Sequence, residues 1–271
     1  MTVVDFAAGL VDKIVAGGSR RAARRIPFRP HLLQLDEPVV AFTFDDFPLS
    51  AAANAAPVLE DAGMRGTYYY SGGLAGNREN GQLIATDDVV ADLAARGHEI
   101  GAHTHDHLNV QRTPIPDMIG DVNRNIEDLE RMGASRPPAS FAYPYGVVSL
   151  RSKLALMNRF AGLRGISPGI NSGLIDLAHL RAQELYDSSS STASMGALLD
   201  QAERRRGWLI FYTHEVCDRP TEIGCSPAYF RTIVDLVKRR GIRVETVART
   251  LRRIGATPGR SPVGARQGQP G

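Results

Sequence analysis

From residue 38 onward the chain alternates short apolar runs of β type with stretches of helical periodicity, and nothing else in the sequence restricts its fold so tightly. Residues 39–44 read as a strand, followed by an Ala- and Leu-rich helix over 50–62 that stops at Gly63. Strand 67–71 comes next, and Thr86 caps a helix ending at Gly97. The pattern continues through strand 98–102, helix 117–132, strand 140–143, helix 150–160 and strands 163–166 and 181–186. It ends with helix 193–206, strand 208–213, helix 227–239, strand 242–244 and helix 247–254. Strands joined by helical crossovers run parallel in one sheet. Some eight of them in about 215 residues predict an α/β fold, a distorted (β/α) barrel of seven or eight parallel strands.

The chain has 271 residues, enough for one such domain, here assigned to 37–255. Residues 1–36 read as a helical, basic N-terminal extension, and 256–271, rich in Pro, Gly, Arg and Gln, as a disordered tail. Phe6, Leu10 and Ile14 predict a short amphipathic helix. The simpler reading packs that helix on the domain; the sharper one lays residues 3–25 on a membrane surface. No apolar run approaches the roughly 18 residues of a membrane span, and no export signal is visible, so a cytoplasmic protein is expected. The net charge of +3 raises the question of nucleic acid. Residues 1–30 carry +4 and 236–271 carry +8, however, which leaves −9 in the centre. With the basicity confined to the ends, no nucleic-acid partner is expected. Cys217 and Cys225 are too few for a disulfide framework and read as free thiols.

In a barrel of this kind functional side chains gather where strands end. Asp45 and Asp46 follow the first strand, His103, His105 and His107 the third, Pro144 and Tyr145 the fourth, and His214 the strand 208–213. Four of the seven histidines thus stand at strand exits. Two neighbouring Asp residues alternate sides on a regular strand, but a turn at the exit lets one ligate a metal while the other faces water. His103 and His107 with one carboxylate form a face that leaves coordination positions open for water and substrate. Such a site suits hydrolysis. Tyr68 and Tyr70 read as core aromatics, and Trp208, at the start of its strand, should lie away from the site.

Four motifs, Thr43-Phe44-Asp45-Asp46, His103-Thr104-x-x-His107, Phe141-x-x-Pro144-Tyr145-Gly146 and Tyr212-Thr213-His214, resemble in content and order those of the NodB-type polysaccharide deacetylases, carbohydrate esterase family 4. The resemblance spans about residues 37–250 and implies a NodB-like barrel. It implies metal-dependent removal of N-acetyl groups from N-acetylglucosamine-containing oligo- or polysaccharides, with acetate released. It implies one divalent ion, expected to be Zn2+, on Asp46, His103 and His107. Asp45 would be the general base, the Tyr145 N–H an oxyanion donor and His214 the acid. Pro144, Tyr145, Tyr212 and His105 would contact substrate, and Thr104 would brace its loop. One departure stands out: many members carry an Arg where this chain has Ala142, and Arg181 is the candidate to replace it beside Asp45. The carboxylate that usually orients the acid histidine stays open among Asp176, Glu184 and Asp187. So do two alternative functions, hydrolysis of another C–N bond (a ureide such as allantoin) and an inactive, metal-bearing sugar-binding protein.

Overall fold

The computed structural model describes residues 18–19, 21–134 and 137–259; the expected amphipathic helix and most of the expected tail lie outside them. Twelve strands are present among the described residues: β1 (Pro30–Leu33), β2 (Val39–Phe44), β3 (Thr67–Tyr70), β4 (Arg78–Glu79), β5 (Gln82–Leu83), β6 (Glu99–Ala102), β7 (Ser140–Ala142), β8 (Gly162–Arg164), β9 (Gly173–Asp176), β10 (Gln183–Glu184), β11 (Trp208–Thr213) and β12 (Arg243–Val244). The helices are α1 (Ala56–Asp61), α2 (Asp87–Ala95), α3 (Ile115–Arg131), α4 (Leu150–Leu156), α5 (Thr192–Arg205), α6 (Pro227–Arg239) and α7 (Val247–Arg253). A π-helical turn, Ala51–Ala55, leads into α1.

The parallel sheet runs β10-β11-β2-β3-β6-β7-β8, with β12 also paired to β2. β2 is its axis: β11 pairs with its whole length, β12 with Val39 and Val40, and β3 with Thr43 and Phe44. All six β2 residues are buried, as expected of a strand covered on both faces. Closure comes from the segment leading into β10. Leu180 bridges Arg164 in parallel, its N–H donates to Leu163 O at 2.7 Å, and from Gln183 the chain pairs with β11. The result is the distorted barrel expected from the sequence.

Strand alternation sorts the side chains into two cores. Val40, Phe42, Phe44, Tyr68, Tyr70, Leu209 and Phe211 pack with the helices. Val39, Ala41, Trp208, Ile210, Tyr212, Leu180 and Leu251 fill the interior of the curl. Trp208 pairs with Val39 at the start of β2, the end away from the strand exits.

Segment 21–36 is sewn to the barrel. β1 pairs antiparallel with β9, Ala23 is fully buried, and the fully buried Lys153 Nζ donates to Ala23 O at 2.6 Å and Ile26 O at 2.7 Å. The same ammonium pairs with Asp176 at 2.5 Å. Neither β1 nor β9 shows a strand signature, because each is only half covered and alternation is blurred. Removing one partner of a buried ion pair strands the other charge. Lys153→Met is therefore expected to lower the unfolding free energy by about 3–5 kcal/mol in urea titrations. An unchanged midpoint would show that this ammonium does not anchor the N-terminal segment.

Candidate active site

Two adjacent acidic side chains leave the end of β2. By alternation Asp45 continues the inward row Val39, Ala41, Thr43, and its N–H donates to Thr213 O at 2.9 Å, extending the ladder by one rung. The chain then turns sharply, with Asp46 at φ 60° and Phe47 at φ 57°. For residues other than glycine this left-handed geometry costs on the order of 1–3 kcal/mol each, and it brings the second carboxylate to the same cavity.

The loop after β6 is also bent, with Thr104 at φ 63° and His107 at φ 50°. One face of α3 holds it. Asp121 Oδ1 accepts from His105 N (2.7 Å), Asn125 Oδ1 from His103 N (3.0 Å), and Asp128 Oδ2 lies 2.7 Å from His105 Nδ1. Thr104 Oγ1 accepts from Leu108 N at 2.9 Å, the bracing expected of it. His103 Nδ1 lies 2.8 Å from Ala142 O; a carbonyl only accepts, so Nδ1 carries the hydrogen and Nε2 presents its lone pair.

That lone pair points at Asp46. Oδ1 of Asp46 stands 3.2 Å from His103 Nε2 and 3.0 Å from His107 Nε2, and the three ligand atoms lie within 4.8 Å of one another. Yet Asp46 Oδ1, fully buried, has no hydrogen bond of proper geometry. A buried carboxylate oxygen converging on imidazole nitrogens without a shared proton is the donor set of a cation such as Zn2+, so the residues fit a divalent metal. Burial alone would raise the Asp46 carboxyl; His103 and His107 outweigh it and hold it well below the usual carboxylate range.

His214 follows β11. Its Nδ1 is 3.2 Å from Ile223 O, which fixes the hydrogen on that nitrogen and turns Nε2 inward, 4.0 Å from Asp46 Oδ2. Among the described residues this carbonyl, and none of the three expected carboxylates, orients the ring. Asp176 is held by Lys153, Glu184 Oε1 accepts from Ser189 Oγ, and Asp187 Oδ1 from Ser226 N. Asp45, Asp46, His103, His107 and His214 line one cavity of about 260 Å³ with Tyr145, Tyr186, Tyr212, Ile166, Ile223 and Asn80. Tyr145, at φ 57°, lays its ring 4.4 Å from that of His107.

Three expectations need correction. Arg181 does not orient Asp45: its exposed guanidinium donates to Pro168 O at 3.0 Å and lines a different cleft. Arg164 does so instead, donating to Asp45 Oδ1. It is fully buried at the end of β8, with its guanidinium between the rings of Tyr69 (5.1 Å) and Tyr212 (5.3 Å). In the β7–β8 ladder Arg164 is the direct partner of Ala142, so the cation sits one strand over from its expected place. The available signal was a charged residue inside a short apolar strand, which must find a partner if buried. His105 does not line the cavity, because Asp128 and the α3 face hold it outside. Pro144 is buried in the turn after β7 and shapes the backbone rather than the cavity wall. Tyr186, Asn80 and Ile223 join the site without any motif that marks them.

A (β/α) barrel with this constellation at its strand exits defines a hydrolase with a metal-type donor set. Residues 33–164 match the family described as polysaccharide deacetylase. A chitin deacetylase from Colletotrichum lindemuthianum is 24% identical over 235 residues, covering 85% of this chain and 86% of that protein. Among solved structures, the Bc1960 peptidoglycan N-acetylglucosamine deacetylase is similar with a TM-score of 0.59 at 19% identity, covering 85% of this chain and 94% of that one. A family 4 carbohydrate esterase from Bacillus anthracis gives 0.57 at 13% identity, covering 89% and 92%. Over residues 33–164 the chain is thus similar to the NodB-type polysaccharide deacetylases, the family its four motifs resemble.

Removing any one of three ligands opens such a site to solvent. His103→Ala, His107→Ala and Asp46→Asn should each fall to substoichiometric zinc by elemental analysis, while His105→Ala keeps its metal. A zinc-free His105→Ala protein would overturn this ligand set.

Proposed function

We propose that the protein is a metal-dependent N-deacetylase that hydrolyses the acetamide of N-acetylglucosamine units in an oligo- or polysaccharide, releasing acetate. The observation that carries this reading is the placement of Asp45 and His214 on one cavity around the Asp46–His103–His107 donor set. A divalent ion held there, Zn2+ by its ligand chemistry, supplies a Lewis acid and lowers the pKa of water towards 7.

The chain's own groups supply the proton transfers. Asp45, fixed by the Arg164 guanidinium, takes the proton from the water that attacks the acetamide carbon. The Tyr145 N–H, in the turn after β7, donates to the oxygen on which negative charge develops. His214, as the imidazolium with its Nδ1–H committed to Ile223 O, gives its Nε2 proton to the departing amine as the C–N bond breaks and is left as the neutral ring. Water and amide thus become acetate and a free amino sugar. Burial raises the Tyr212 and Tyr186 phenols, so both stay neutral beside the acyl group and give that end of the cavity an aromatic wall.

The direct test is acetate release from N-acetylglucosamine oligomers by the zinc-loaded protein; release of nothing, or turnover of allantoin instead, overturns the reading. Asp45→Asn is expected to keep its metal and lose about 10²–10⁴ in kcat, the range for a positioned acid or base. His214→Ala should lose a similar factor on acetamides yet spare activated aryl acetates, whose leaving groups need no proton. Equal losses on both substrates would remove His214 from the acid role. Arg164→Met should lower kcat with zinc content unchanged, since it frees the base without touching the ligands.

A further inference from the structure

A second cleft, of about 180 Å³, lies across the exit loop of β8 from the catalytic cavity. Ile166 lines the cavity and Ser167 the cleft, while Arg24 reaches between them to donate to Gly146 O at 3.3 Å. Arg24, Arg25 and Arg181 stand around the cleft. Among the described residues Arg25 and Arg181 form no ion pair, and Arg181 spends one nitrogen on the Pro168 carbonyl. The single acid in the lining, Asp176, is already matched: Lys153 Nζ holds its Oδ2, and Oδ1 accepts from the N–H groups of Arg29 and Ala178. Among the described residues Arg25 and Arg181 therefore leave positive charge on the cleft without an acidic partner, and Ser167 and Ser172 add hydroxyls.

His179 closes the floor. It is 5% exposed, and its Nε2 has no hydrogen-bond partner. Burial, with Lys153 and Arg24 nearby, pushes its imidazole down to about 4, so the ring is neutral at pH 7.

We propose that this cleft is a subsite for an oxyanion, a carboxylate or phosphate carried by the sugar next to the one deacetylated, which makes acidic N-acetylated glycans the preferred substrates. Guanidinium groups match planar or tetrahedral oxyanions in shape as well as charge. Ile166 on the cavity and Ser167 on the cleft are consecutive residues, so the two sites are neighbours that a single glycan is proposed to span. The proposal rests on the deacetylase reading, and its test separates the two.

The full-length protein, with 15N-labelled histidine, is titrated with inorganic phosphate, with an N-acetylglucosamine tetramer, and with a tetrasaccharide alternating N-acetylglucosamine and glucuronate. Phosphate and the acidic tetrasaccharide should move the His179 ring signals, and the neutral tetramer should leave them in place. The acidic tetrasaccharide should bind at least about tenfold tighter than the neutral one, an advantage lost in about 0.5 M salt. The double variant Arg25→Ala/Arg181→Ala, altered only at exposed side chains, should erase that tenfold advantage. A response to phosphate with no preference for the acidic glycan would make the cleft a site for free anions and overturn the substrate assignment. No response to either anion overturns the subsite altogether. Binding is read without turnover, so acetate release from the neutral tetramer is scored apart. Its absence there and from the acidic tetrasaccharide, alongside an intact His179 response, would sink the deacetylase reading and leave the oxyanion site standing.

Discussion

Two carboxylates on consecutive residues, both buried at the end of the central strand, set the terms for everything near them. Side by side in a buried barrel mouth they repel each other, and each faces its own set of groups. Asp46 faces two imidazoles, and Asp45 meets a guanidinium that is itself wholly buried and wedged between two tyrosine rings. A buried ion pair is a poor source of stability, because desolvation consumes most of the Coulombic gain. What the Arg164–Asp45 pair supplies is orientation: one carboxylate oxygen is committed, and the carboxylate as a whole cannot rotate away from the cavity.

The same economy of placement holds the histidines. A single face of α3, at residues 121, 125 and 128, carries side chains that bind three successive features of the loop after β6. The helix is amphipathic in an unusual sense, since part of its inward face is polar and aimed at backbone rather than at a core. His103 and His214 are each locked by a carbonyl on Nδ1, so both turn the same nitrogen towards the cavity for different purposes. The strain stored at Asp46, Phe47, Thr104, His107 and Tyr145 is tolerated because these ties over-determine the loops.

The barrel was legible in the sequence because strand and helix periods differ and because glycines punctuate the helices. The long strands β2 and β11 were read to the residue, being buried on both faces and rich in aromatic and β-branched side chains. β1, β9 and the β4–β5 hairpin were not, since short, half-exposed strands carry no alternation to read. At the site, residues adjacent in sequence, such as Asp45 with Asp46 or His103 with His107, were found by spacing. Those that meet only through the fold were misassigned or missed. Arg181 was named for its nearness to a strand and Arg164 was missed, because only the β7–β8 register sets Arg164 beside Ala142. The partner of His214 was sought among carboxylates, when a backbone carbonyl, invisible to any residue-type search, holds it.

The pairing of Ala142 and Arg164 on one rung carries a wider consequence. In a parallel ladder, two residues on adjacent strands that share a rung and a face project into almost the same space. A charge can therefore migrate sideways through evolution, from one strand to its neighbour, with no change in what it touches. The heritable unit of such a site is the rung, and a linear pattern that insists on one column of the sequence will discard chains whose chemistry is intact.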